Sequence, residues 1–378
     1  MPDKSIIYFD HAATTSPRKE VVDLFNRSLV ETFYNPASTH QAGTIVSRKL
    51  ENARRDILTS FGLANYSLIF TSGATESNNL AIKGLSRRYK KRGNHIITTS
   101  FEHPSVSNPC KALEAEGFIV TYLSVNNGHI DLDELKSSIN DKTILVSIIG
   151  VNNEVGFIQD ISSIAKLVHS HPGIKLHVDA VQAVGKIALP YKDIDLFTVS
   201  MHKINGLKSS GLLIYKNGIE FVPLIEGGGQ ENNIRSGTND VPMAIADALT
   251  VKLALKEQNN AFEYCFNLVK PLYEYLESKP DVFEIHSSLN NPFIVNFSLI
   301  NKKASVFVEA LSSNNIMVAS RSACSSRMDK GSVTLLALGK SSNIATNAIR
   351  LSFGMDNTPE EINIFINTME KLLKEIRS

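Results

Sequence analysis

Seven short runs of aliphatic and β-branched residues recur between residues 67 and 215: Ser67–Phe70, His95–Thr99, Ile119–Leu123, Ile144–Ile149, Leu176–Val178, Leu196–Ser200 and Leu212–Tyr215. Runs such as ILVSII at 144–149 show no polar alternation, so a strand made of them must be covered on both faces. Amphipathic helical stretches separate most of them, for example Lys19–Leu29, Asn78–Lys90 and Pro104–Glu116. Strands alternating with helices imply crossover units and a mainly parallel sheet, an α/β fold. Ligands of such sheets bind beyond the carboxyl ends of the strands, so chemistry is sought in the residues just after each run.

Beyond residue 240 the pattern changes. Val241–Ala261 reads as a connecting helix, and a smaller α+β region follows: helix Phe262–Ser278, strand Phe293–Ser298, helix Ala304–Asn314 and closing helix Pro359–Ile376. With 39 basic and 38 acidic side chains, the 378-residue chain lacks the basic excess of a dedicated nucleic-acid binder. It has no apolar run long enough for a membrane span. MPDKSIIYFDHAATT has no basic region followed by a long apolar one, so it does not read as a signal peptide. Cys110, Cys265 and Cys324 lie far apart without a CxxC, the pattern of free thiols in a cytoplasmic protein.

Several post-strand segments carry chemistry. Thr71-Ser72-Gly73-Ala74-Thr75-Glu76-Ser77-Asn78 opens a helix with small residues and a hydroxyl at Thr75, which suits an anion; an ordinary Ser/Thr cap is the alternative. Asp179 ends the run Leu176–Val178, where a lone carboxylate needs a cation or several donors. Lys203 follows Leu196–Ser200, and a lysine so placed can act as a Schiff-base nucleophile. An Asp and a Lys on adjacent strand ends serve together in pyridoxal phosphate (PLP) enzymes, the Asp keeping the ring nitrogen protonated. His103 could stack on a flat cofactor, and Asn152-Asn153 place amides at another strand end. Gly227–Gln230 and Arg235–Thr238 form a loop with phosphate-suited donors. Cys324 has small polar neighbours with Arg321, Arg327 and Lys330 close by, which favours a reactive thiolate. Arg350, in a β-like stretch, suits bidentate capture of a carboxylate, or else a structural ion pair. His169, His171 and His177 cluster in sequence, but the Pro172-Gly173 turn and the lack of acidic or thiol partners argue against a metal site.

The blocks DHAATT, NPAS, FTSGATESNN, HIITTSFEH, DKTILVSIIGVNNEVG, HVDAVQAVGK, SMHKINGLKSSG, GGGQENNIRSGT, SACSS and IRLSFG occur in that order. On these the chain resembles the PLP-dependent cysteine desulfurases of the NifS/IscS type, in the class V aminotransferase superfamily. The resemblance implies PLP-dependent transferase fold type I, a homodimer, a large PLP-binding domain at 14–257 and a small domain of 1–13 with 258–378. It implies that Lys203 is the Schiff-base lysine, that Asp179 pairs with the ring nitrogen and that His103 stacks on the ring. Ala74, Thr75, Ser200 and His202 would hold the phosphate, with Thr238 reaching it from the partner subunit. Asn153 and Gln182 would touch the ring hydroxyl region, and Arg350, with Asn153, the substrate. Cys324 would be the nucleophile that takes sulfur from L-cysteine as a persulfide, releasing alanine. The implied recipient is an iron–sulfur scaffold or a tRNA-thiolation protein, with no resident metal and no direct nucleic-acid or membrane contact. A selenocysteine lyase, another class V enzyme or a non-catalytic trafficking partner are the alternatives. The chain departs from the usual family pattern at Arg321, Met201 and Leu207–Ser209.

Overall fold

The computed structural model describes residues 6–320 and 331–376. A two-residue strand, β1 (Ile7–Tyr8), opens it. Each of the seven apolar runs then forms a strand: β2 (Tyr66–Thr71), β3 (His95–Thr99), β4 (Ile119–Leu123), β5 (Thr143–Ile149), β6 (Lys175–Asp179), β7 (Leu196–Ser200) and β8 (Gly211–Lys216). They form one sheet in the order β2-β8-β7-β6-β5-β3-β4. Every residue of β3, β5 and β7 is buried, as the unbroken apolar runs require, whereas β4 at the edge is largely half-exposed. The sheet is mainly parallel, with β8 antiparallel to both β2 and β7. The link from β7 to β8, residues 201–210, is shorter than the roughly dozen residues of a parallel crossover, so the chain must return antiparallel.

That link carries Lys203 and most of the departures from the family pattern. Met201 is fully buried in the main core. Ser209 sits at φ +60°, a conformation in which an L side chain is strained and glycine is not. Ser209→Gly is therefore expected to stabilise the fold by about 0.5–1 kcal/mol, after glycine's greater unfolded-state freedom is subtracted. A chemical denaturation midpoint that fails to rise, at constant slope, would contradict this.

Helices α1 (Lys19–Glu31) and α2 (Gln41–Ser60) pack against α5 (Val241–Glu277) on one side of the sheet. The last is one helix of 37 residues, where the sequence pattern suggests two. No Gly or Pro separates Ala261 from Phe262, and buried positions continue through Cys265, Leu268, Val269 and Leu272, so nothing breaks it there. Beyond it β9 (Phe283–Ile285), β10 (Ile294–Leu299) and β12 (Ala348–Ser352) make a three-stranded antiparallel sheet. Strand β11 (Ile316–Met317) pairs with β1 in parallel, and Asp10 bridges to Ser352, so the start of the chain is stitched to its C-terminal region. The closing helix α6 (Pro359–Glu375) starts at a Thr358/Glu361 capping box. One hydrophobic cluster runs without a break from Phe9 and Phe353 through Val178 to Leu268.

Candidate active site

A cavity of about 530 Å³ opens at the carboxyl ends of the strands. Ala74, Thr75, His103, Asn153, Asp179, Gln182, Ser200, His202, Lys203 and Arg350 all line it, so most of the residues singled out in the sequence converge. Thr238 does not: it is exposed and lines a separate cavity of about 130 Å³ beyond Ser72 and Ser210. Cys324, like Arg321, lies outside the described residues. A wider cleft of about 800 Å³ lies between α1, α2 and α5, lined by Lys49, Asp56 and Lys252 among others. It contains none of the residues singled out for chemistry.

The anion end of the cavity is formed where β2 turns into α3 (Ala74–Asn79), which continues through a π-helical turn, Leu80–Gly84, into Leu85–Tyr89. Gly73 precedes it at φ +145°, and no side chain caps the first turn, so the Ser/Thr-cap alternative is not realised. Gly211 of β8 passes so close that a Cβ there would stand 2.6 Å from the Gly73 carbonyl carbon. Two glycines thus bring a helix start and its backbone N–H groups to the cavity floor. Lys208 and His202 line the same cavity. Burial pushes the His202 imidazole down to about 4, with the charges of Lys203 and Lys208 adding to it, so this ring is neutral near pH 7. The GGGQENN segment is pinned rather than loose: Glu231, in the left-handed region, accepts from both guanidinium nitrogens of Arg54 at 3.0 Å.

The opposite wall is a buried hydrogen-bonded chain. Asp179, 4% exposed, accepts from Asn78 Nδ2 at 2.8 Å and from the Val181 N–H at 3.1 Å. The same Asn78 amide donates to Ser105 Oγ at 2.8 Å, and Ser105 Oγ lies 2.7 Å from His103 Nδ1. Because the Ser105 N–H also donates to Nδ1, that nitrogen is the acceptor and the neutral ring carries its proton on Nε2. Burial lowers the His103 pKa, Asp179 opposing and Lys203 reinforcing, which keeps the ring in this neutral form. His103 also caps α4 (Pro104–Ala115), so helix and imidazole fix each other.

Lys203 follows β7 in a single turn of 3₁₀ helix and donates from Nζ to the Ala12 and Ala13 carbonyls, each at 2.6 Å. Arg350 on β12 is 2% exposed; it donates to the Asn153 carbonyl at 2.8 Å and to Asp10 Oδ1 at 2.7 Å. Its Nε is buried with no partner among the described residues, which leaves a donor for an incoming carboxylate. The structural ion pair to Asp10 therefore does not use up the donors of Arg350.

A family model described as aminotransferase class-V matches residues 7–365. The cysteine desulfurase IscS of Buchnera aphidicola subsp. Schizaphis graminum is 40% identical over 385 residues, covering 99% of this chain and 94% of that protein. The chain belongs to the cysteine desulfurases of the class V aminotransferase family. Among solved structures, one described as a NifS-like protein matches at a TM-score of 0.91 and 33% identity, over 98% of this chain and 100% of that one. SspA in complex with cysteine matches at 0.78 and 32% identity, over 92% and 98%.

Members of this desulfurase family use PLP, and the donors present fit it. The cavity size suits a small cofactor. It offers an uncapped helix start with a lysine and hydroxyls for a phosphate, an unprotonated imidazole for a ring face and a lysine for the aldehyde. Buried Asp179 accepts from two neutral donors, a setting that a protonated ring nitrogen completes. The sequence reading gave no role to Asn78, Ser105 or Asp10. Asn78 sits a turn into α3 and Ser105 is the second residue of α4, and Asp10 belongs to a block whose partner lies 340 residues away. Cys110 and Cys265 are buried, and burial pushes both thiols up to about 12. His177 spans Ser147 and Thr198 within the sheet, while His169 pairs with Asp195. Among the described residues no group of His, Cys, Asp and Glu is placed to hold a metal, and no helix is long and apolar enough to cross a membrane.

Proposed function

We propose that this chain is a PLP-dependent cysteine desulfurase that converts L-cysteine to L-alanine and keeps the sulfur as a persulfide on Cys324. The observation that carries the reading is the convergence of Lys203, Asp179, His103 and Arg350 on one cavity, in a member of this family. The cysteine in the SspA structure supports the same substrate here. When bound, PLP supplies an electron sink for the pair left at the substrate Cα.

The chain's own residues do the rest. The N–H groups at the start of α3, with Thr75, Ser200 and His202, would hold the phosphate. Asp179 would accept from the ring nitrogen, and neutral His103 would cover the ring. Asn153 and Gln182 would meet the ring hydroxyl region, and Arg350, with Asn153, the substrate carboxylate. Lys203, freed as an amine, takes the Cα proton at Nζ and returns it. The Cys324 thiolate attacks the substrate sulfur; the S–S bond forms as the C–S bond breaks, and the carbon is protonated to give alanine. Incubation of the PLP-loaded protein with L-cysteine should produce alanine. A protein that binds PLP and makes none would overturn this reading.

The assembly and the recipient belong to the same proposal. Residues 14–257 would form the PLP-binding domain and 1–13 with 258–378 the small one. A homodimer is supported by the exposed Val30, Phe33, Tyr34 and Ile45 and by Thr238 standing outside its own chain's cavity. Sedimentation at the mass of one chain would refute it. The recipient would be a sulfur-accepting protein of iron–sulfur assembly or tRNA thiolation, in the cytoplasm.

A further inference from the structure

A fourth and smaller cavity, of about 60 Å³, shares Lys203 with the active-site cavity. His11, Arg18, Lys186 and Glu257 supply the rest of its charged or titratable lining. Arg18 and Glu257 neutralise each other through two hydrogen bonds, at 3.0 and 2.5 Å. His11 is 2% exposed with neither ring nitrogen hydrogen-bonded, and burial lowers its pKa against the pull of Asp356, so it is uncharged near neutrality. Lys186 is different. No carboxylate pairs with it among the described residues, and its Nζ donates to the neutral Gln182 Oε1 at 3.0 Å. Gln182 Nε2 in turn donates to the Ala12 carbonyl at 2.9 Å, the same oxygen that accepts from Lys203 at 2.6 Å.

An ammonium group can only donate, so Lys186 decides which way the Gln182 amide faces. Two lysines also meet at one small cavity, whose carboxylate, Glu257, is taken up by Arg18. We propose that Lys186 is a positioning residue for the active site: it fixes the Gln182 amide with Nε2 toward Ala12, and its ammonium opposes a positive charge on the Lys203 amine. This rests on reading Lys203 as the cofactor lysine. An amine that must be neutral to attack an aldehyde or take a proton gains from such a neighbour.

The electrostatics agree with that geometry. Lys186 is brought down to about 7, chiefly by burial, with the charge of Lys203 the next contribution and that of Arg350 a smaller one. Cys265 acts the other way only if ionised, and its thiol is pushed up to about 12. The coupling is reciprocal, so a charge on Lys186 disfavours one on Lys203 by the same amount.

The visible absorbance of the PLP-loaded protein, followed against pH, reads the protonation of the lysine–cofactor linkage without any turnover. Lys186→Met should raise its midpoint by about one pH unit. Lys186→Arg, which stays charged where lysine titrates, should leave the midpoint at or below the wild-type value. The order Arg, wild type, Met is what a purely structural role would not produce. An unchanged midpoint in a folded, PLP-binding Lys186→Met would overturn the inference while leaving the desulfurase reading intact. If that variant does not fold, Lys186→Gln and the Arg-to-wild-type comparison decide in the same way. A wild type with no visible band after PLP loading would instead remove the reading beneath it.

Discussion

Lys203→Ala should lose the visible absorbance of the PLP-loaded enzyme and slow alanine formation by a factor on the order of 10³ or more. The same amine has two tasks in the account, holding the cofactor and moving the Cα proton, so both readouts fall together. Its placement leaves little room for substitution by a neighbour. Lys203 sits on the short β7–β8 link with Nζ already at the cavity wall, whereas Lys186 is turned toward Gln182. Lys208 also lines the cavity, but it belongs to the anion end in this account. The variant should keep its fold, because the side chain lost is half-buried and donates to carbonyls already at the cavity. Retention of both the band and the rate would show that another amine carries the cofactor.

Cys324→Ala should stop the protein from retaining sulfur and cut alanine production on the order of 10²-fold or more, while PLP binding is unchanged. The two other cysteines cannot take over. Cys110 and Cys265 are buried, and with thiols pushed up to about 12 they are almost wholly protonated at neutral pH. A reactive thiolate needs nearby cations and access, and the sequence around Cys324 supplies Arg321, Arg327 and Lys330. Sulfur retained by Cys324→Ala would move the nucleophile elsewhere.

The sheet was legible in the sequence because burial on both faces writes itself as unbroken apolar runs. The reversed direction of β8 was not, since its apolar run reads like those of the other strands and only the shortness of the preceding link betrays it. The site was legible where one loop follows one strand: Thr75, His103, Asp179 and Lys203 each stand just past an apolar run. Residues that act through another residue were not. Asp10, Asn78 and Ser105 touch Arg350, Asp179 and His103 only because distant segments meet, and Lys186 gains its meaning from a cavity shared with Lys203. Ser209 read as a plain departure from the family pattern, and only its φ of +60° shows that it stands where glycine would be unstrained.

The most direct test of the central claim is the intact mass of the protein after incubation with PLP and L-cysteine, beside Cys324→Ala, with alanine assayed in the same samples. One added sulfur is expected on the wild type, none on the variant, and alanine from the wild type. Alanine made without added sulfur on either protein, or no alanine from a protein that binds PLP, would contradict it.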